Sequence, residues 1–69
     1  MDTYIKVYYG DTPLYVADLY LLCISDGYLF TLSESRLFAH AFPNKDVAID
    51  FAEDYLTGRQ VEFLEKGES

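Results

Sequence analysis

With 69 residues, 12 acidic side chains against 5 basic ones and a formal charge of −7, the chain lacks the Lys and Arg that neutralise nucleic-acid phosphates. Direct nucleic-acid binding is therefore not expected. The same balance disfavours an anionic membrane surface and, through its long-range field, favours a basic partner.

Five Phe and seven Tyr within a 51% apolar composition separate the chain from disordered sequences, which are poor in aromatics. One small domain over residues 1–69 is expected, near the lower size at which a single core sustains a fold. Cys23 is the only cysteine, so no intrachain disulfide is available and a reducing, cytoplasmic setting fits. Met1-Asp2-Thr3 lacks the basic start of a signal peptide, and no apolar run approaches the roughly 20 residues of a membrane span.

Tyr4 to Tyr9 alternates as a strand does, with Ile5, Val7 and Tyr9 on one face and Tyr4, Lys6 and Tyr8 on the other. Gly10-Asp11-Thr12-Pro13 reads as a turn. Leu14 to Ala17 resumes an extended pattern that Asp18 interrupts. Leu19 to Ile24 is an apolar run that fits strand or helix by periodicity alone. Ser25-Asp26-Gly27 favours a hairpin, with Tyr28 to Leu32 as the return strand, and a short helix over Val16 to Cys23 is the alternative.

Ser33 is placed to cap a short helical turn through Glu34 to Ala39. Phe42 before Pro43 is biased to extended backbone and ends it. Asn44 is a good N-cap for a main helix from Lys45 to about Thr57, whose apolar face is Val47, Ala48, Phe51, Ala52, Tyr55 and Leu56. Gly58 takes the left-handed position after that helix. Gln60 to Glu65 is a last strand with Val61 and Phe63 inward, and residues 66–69 form a tail. The expected fold is α+β: an antiparallel sheet of three to four strands in the order β-β-β-α-β, packed by one main helix with a short helical turn before it.

The main helix carries the most informative pattern. Asp46, Asp50, Glu53 and Asp54 fall within an arc of roughly 100°. Asp46, Asp50 and Asp54 form an i,i+4 ladder of like charges, which weakens a helix, and Lys45 is the only base nearby. Local sacrifices of this kind often mark function. The alternative is a solvated face that keeps an apolar-rich protein soluble.

Catalytic constellations are missing. Cys23 in an apolar run reads as a small buried hydrophobe, and His40 as a connector residue. No Cys-x-x-Cys or His-x-x-x-His pair offers a metal site, and the acidic ladder lacks the looped carbonyls of a calcium site. Gly10, Gly27, Gly58 and Gly67 are isolated, so no phosphate-cradling loop exists. Neither an enzyme nor a cofactor is expected. Tyr4, Tyr8 and Tyr20 would stand on the outer sheet face, either as a protein interface such as that of a homodimer, or simply as strand-stiffening residues.

The run from Phe30-Thr31 through a short helical turn to Ala41-Phe42, then Ala48 and Phe51 on the inner helix face, a glycine and a closing Val61-Glu62-Phe63, resembles the layout of small acidic accessory proteins of bacteriophages and other mobile elements. The resemblance spans roughly residues 28–65. It implies that Phe30, Thr31, Ala41, Phe42, Ala48 and Phe51 are scaffold. It further implies a non-enzymatic protein, acting in the host cytoplasm, that binds and disables a host enzyme or defence complex. On that reading Asp46, Asp50 and Asp54, about 6 Å apart along the helix axis, stand in for successive phosphates against a basic, nucleic-acid-handling protein, as an anti-CRISPR or anti-restriction factor would. The other expectation is a self-associating module with a tyrosine-rich dimer face.

Overall fold

Alternating apolar residues in the first nine positions meet a Gly-Asp pair, and that pairing sets the first hairpin. The computed structural model describes residues 2–22 and 27–65, with residues 19–22 as backbone only. Strand β1 (Thr3–Tyr9) turns through Gly10-Asp11 into β2 (Thr12–Leu22). Tyr9 pairs with Thr12, so the loop is two residues long, tighter than the four-residue turn expected from sequence. Gly10 has φ +66, the first-position glycine of a II′ hairpin turn. Because opposite residues alternate between exchanging and not exchanging hydrogen bonds, Pro13, paired with Tyr8, points its ring nitrogen away from β1. On that other side β3 (Gly27–Ser33) reaches only to the Ser33–Tyr15 pair. Proline therefore costs the ladder nothing there.

The sheet has four antiparallel strands in the order β3-β2-β1-β4, with β4 spanning Gln60–Glu65. This is the expected α+β architecture with one main helix. The backbone of β2 is extended as far as Leu22, which removes the helical alternative over the described part of residues 16–23. Asp18 does not end the strand. Between the pairs Ala17–Thr31 and Tyr20–Leu29, two β2 residues face the single residue Phe30. That is a β-bulge, and Asp18 takes φ 49 to make it. Thr31 Oγ1 donates to Asp18 Oδ2 at 3.0 Å and fixes the kink. The expected Ser25-Asp26-Gly27 turn lies mostly outside the described residues, although Gly27 already pairs with Leu22.

Past Lys6–Tyr15 the strands β1 and β2 no longer pair. The connector at residues 39–42 fills the gap. His40 N–H donates to the Val16 carbonyl at 2.8 Å, while Thr3 and Phe42 exchange backbone hydrogen bonds at 2.9 and 2.8 Å. Those bonds satisfy backbone groups that the diverging strands would otherwise leave bare. They also set Phe42 in the centre of the core. The preceding helical turn is a short 3-10 segment, Arg36–Phe38, capped by Ser35 and not by Ser33. Ser33 Oγ instead accepts from the Ser35 N–H, so the expected cap serves the turn one step earlier.

Helix α1 (Lys45–Tyr55) starts where its sequence signal lies: Asn44 Oδ1 accepts from the Val47 N–H at 3.0 Å. Its last helical residue is Tyr55, with Leu56 as the cap, two residues short of expectation. Gly58 follows with φ +82, two residues past that cap. The core joins Ile5, Val7 and Val16 of the sheet to Phe42 and to Ala48, Phe51, Ala52 and Leu56. Val47 is not part of it. At 42% exposure it stands at the margin of the apolar stripe where burial was expected.

Candidate functional site

One helix cannot cover this sheet. Four strands spaced about 4.8 Å apart span about 14 Å between outer axes, and a helix with its side chains is about 10 Å wide. Helix α1 packs over β1 and β4. On the β3 side the inner face is lined by aromatic side chains, and a pocket of about 460 Å³ opens between them and the helix.

The wall of this pocket is an aromatic cluster with Phe51 at its hub. Phe51 stacks on Tyr55 at 4.8 Å and 25°, and lies 5.1 Å from Phe30 and 5.3 Å from Phe42. Tyr28 stands edge-on to both Phe51 and Tyr55 at 6.0 Å. These edge and offset arrangements are the favourable ones for aromatic quadrupoles. Tyr28 N–H donates to Tyr55 Oη at 2.9 Å, so the helix side chain satisfies a backbone donor of the edge strand and ties the two walls together. His40 closes one end, packed edge-on to Phe42 at 4.8 Å. Its burial holds the imidazole below its ordinary pKa of 6.5, so the neutral form is favoured.

The rim carries charge of one sign. Asp50 and Asp54 line the pocket beside Val47, and none of its lining residues is Lys or Arg. Glu53 faces the other flank of α1 and lines a shallower groove of about 370 Å³ with Ile49, Arg59 and Phe63. Asp46 lines neither. All four carboxylates are exposed, and among the described residues none is in an ion pair. The single acidic stripe legible in the sequence is thus divided by the packing: two carboxylates overhang an aromatic pocket, one faces β4, and one stands on open helix.

The opposite face of the sheet carries the tyrosines. Pairing puts Tyr4 beside Leu64, Lys6 between Tyr15 and Glu62, and Tyr8 between Pro13 and Gln60. Tyr8 is already engaged: its hydroxyl donates to Glu62 Oε1 at 3.0 Å and the Lys6 ammonium lies 5.4 Å from its ring. Tyr20 pairs with Leu29 through its backbone, and its side chain lies outside the described residues.

No family model matches the chain, and no curated protein or solved structure matches it either. Among the described residues no group of three or more His, Cys, Asp or Glu is arranged to hold a metal ion. None of their helices is long and apolar enough to cross a membrane. Cys23 lies outside the described residues. Tyr28 and His40 line the pocket, although the sequence marks them only as a strand residue and a connector residue. Their signal is long-range: Tyr28 reaches the pocket through the β2–β3 register, and His40 through the inserted connector.

Proposed function

We propose that this chain is a non-catalytic, protein-binding modulator that presents the acidic face of α1 to a basic surface on its partner. The observation that carries this reading is that Asp46, Asp50, Glu53 and Asp54 are all exposed and, among the described residues, in no ion pair. Each i,i+4 like-charge pair costs the helix about 0.2–0.5 kcal/mol, a standing penalty that a Lys or Arg at any rung would relieve. Complementary potential at an interface offsets such a penalty and speeds association. The resemblance to phage and mobile-element accessory proteins suggests the finer form: a nucleic-acid-handling enzyme or defence complex whose phosphate-binding groove the helix occupies.

The test is affinity capture from host lysate at rising salt, comparing the wild type with a variant carrying Asp46→Asn, Asp50→Asn, Glu53→Gln and Asp54→Asn. Captured protein should be lost from the variant, should weaken with salt as exposed charge pairs do, and should be displaced by short duplex DNA. Partners retained equally by both forms would reduce the stripe to a solvated face.

A second reading is self-association through the outer sheet face, favoured by Tyr4, Tyr15 and Leu64 on that face, which are only half-buried. Obligate dimers bury apolar surface of this kind. Sedimentation at micromolar concentration decides it, since a strict monomer removes the reading.

A further inference from the structure

The aromatic pocket and the two carboxylates on its rim have a joint chemistry that neither has alone. We propose that the pocket between α1, Tyr28 and the 40–43 connector receives one arginine side chain from the basic partner. The proposal rests on the protein-binding reading above and names the group that reading would place deepest in the interface. Three features select the guest. The volume, about 460 Å³, lies in the range of pockets that enclose a small group. The exposed Tyr28 ring and the half-buried Tyr55 ring, edge-on to one another at 6.0 Å, line the pocket and offer a flat cation a π-system within reach. Asp50 and Asp54, one helical turn apart on the rim, supply acceptors for a guanidinium fork and carry no bound counter-charge among the described residues.

Arginine fits this combination better than lysine. Its guanidinium is planar, weakly hydrated and able both to stack on a ring and to bond carboxylates in two directions, whereas an ammonium is a compact and strongly hydrated point charge. Charge complementarity also argues against an anionic or neutral apolar guest, because either would desolvate Asp50 and Asp54 without replacing their lost hydration.

The test is an NMR titration of the full chain at physiological ionic strength with acetyl-Gly-Arg-Gly-amide, and with its lysine and citrulline counterparts. Citrulline keeps the shape and planarity and removes the charge. The arginine peptide should shift the ring signals of Tyr28 and Tyr55 and the methyls of Val47 in a saturable manner. Citrulline should bind about tenfold more weakly or worse, the effect of losing one charge-assisted hydrogen bond. Asp50→Asn with Asp54→Asn should abolish saturation, while Asp46→Asn with Glu53→Gln should leave it within about twofold. All four positions are exposed, and an amide spectrum of each variant confirms folding. Equal response to arginine and citrulline, equal loss from both double variants, or no saturable shift at millimolar peptide overturns the proposal. The two readings fail separately. Silence in the titration with acid-dependent capture intact removes only the arginine pocket. Saturation with no acid-dependent partner in lysate removes the wider reading and leaves a pocket that binds the cation.

Discussion

Phe51→Ala is expected to remove most of the stability of this domain. Phe51 is 5% exposed and contacts four other rings, those of Tyr28, Phe30, Phe42 and Tyr55. Truncating a buried Phe typically costs about 3–5 kcal/mol. The upper half of that range is expected here, because the helix is anchored at both ends, by Asn44 and by Tyr55, and can relax only a little into the void. At about 0.05–0.15 kcal/mol per residue, a domain of 69 residues has about 3–10 kcal/mol to lose. The assay is urea unfolding followed by circular dichroism, with midpoint and slope fitted together. A variant folded in buffer should show a midpoint far below wild type, and its melting temperature should fall by about 4–8 °C per kcal/mol. Phe51→Leu, which keeps apolar volume and forfeits the ring pairs, should lie between the two. A Phe51→Ala protein within about 1 kcal/mol of wild type would refute the reasoning, since the aromatic cluster would then not be the centre of the core.

Tyr55→Phe deletes the acceptor of the Tyr28 N–H while keeping the ring; a loss of about 0.5–1.5 kcal/mol is expected in the same urea assay, with faster amide exchange at Tyr28. Asp50→Lys relieves repulsion from Asp46 and Asp54 and adds opposite-charge pairs, each change worth about 0.2–0.5 kcal/mol. It should melt at or above wild type and lose the arginine peptide, and a much lower melting temperature would mean that Asp50 has a structural partner. His40, whose pKa burial lowers in the folded state, should make stability constant above the ordinary value of 6.5 and falling as pH drops below it, where the unfolded chain takes up a proton that the folded chain resists. With Asp50, Asp54, Tyr28 and Tyr55 lining the same pocket, the check is the urea midpoint at pH 7.5 and 5.5: His40→Gln should flatten the part of that fall which wild type shows in excess.

What the sequence made legible was local. Alternation marked β1, a side-chain acceptor at Asn44 marked the helix start, and the strand-strand-strand-helix-strand order followed from turn chemistry between apolar runs. What escaped it depended on partners distant in the chain. Asp18 looks like a break because a bulge puts two residues opposite one and resets the alternation, while pairing with β3 carries the strand through. Residues 39–42 have no periodicity to reveal that they enter a fork between β1 and β2. Val47 sits on the expected apolar stripe, and whether such a position is buried depends on what the sheet sets against it. Here it faces the uncovered side.

That same mismatch decides how the acidic ladder is to be understood. On a helix considered alone, Asp46, Asp50 and Asp54 are equivalent rungs, and a phosphate-like row is the natural description. Packing makes them unequal. Helix α1 sits toward β1 and β4, so its other flank is left above aromatic rings, and only Asp50 and Asp54 reach over that space. A carboxylate next to an apolar-walled cleft can act on a cation more strongly than one on an open surface, because the guest it holds is screened less by solvent. The chain therefore carries two electrostatic features in one helix: a diffuse field from four acids, suited to guiding a basic partner, and a local pair at the mouth of a pocket, suited to holding one of its side chains. The first should respond to salt and to any neutralised acid in proportion to charge. The second should respond to Asp50 and Asp54 alone, and that asymmetry between substitutions one helical turn apart separates a built recognition site from a merely acidic surface.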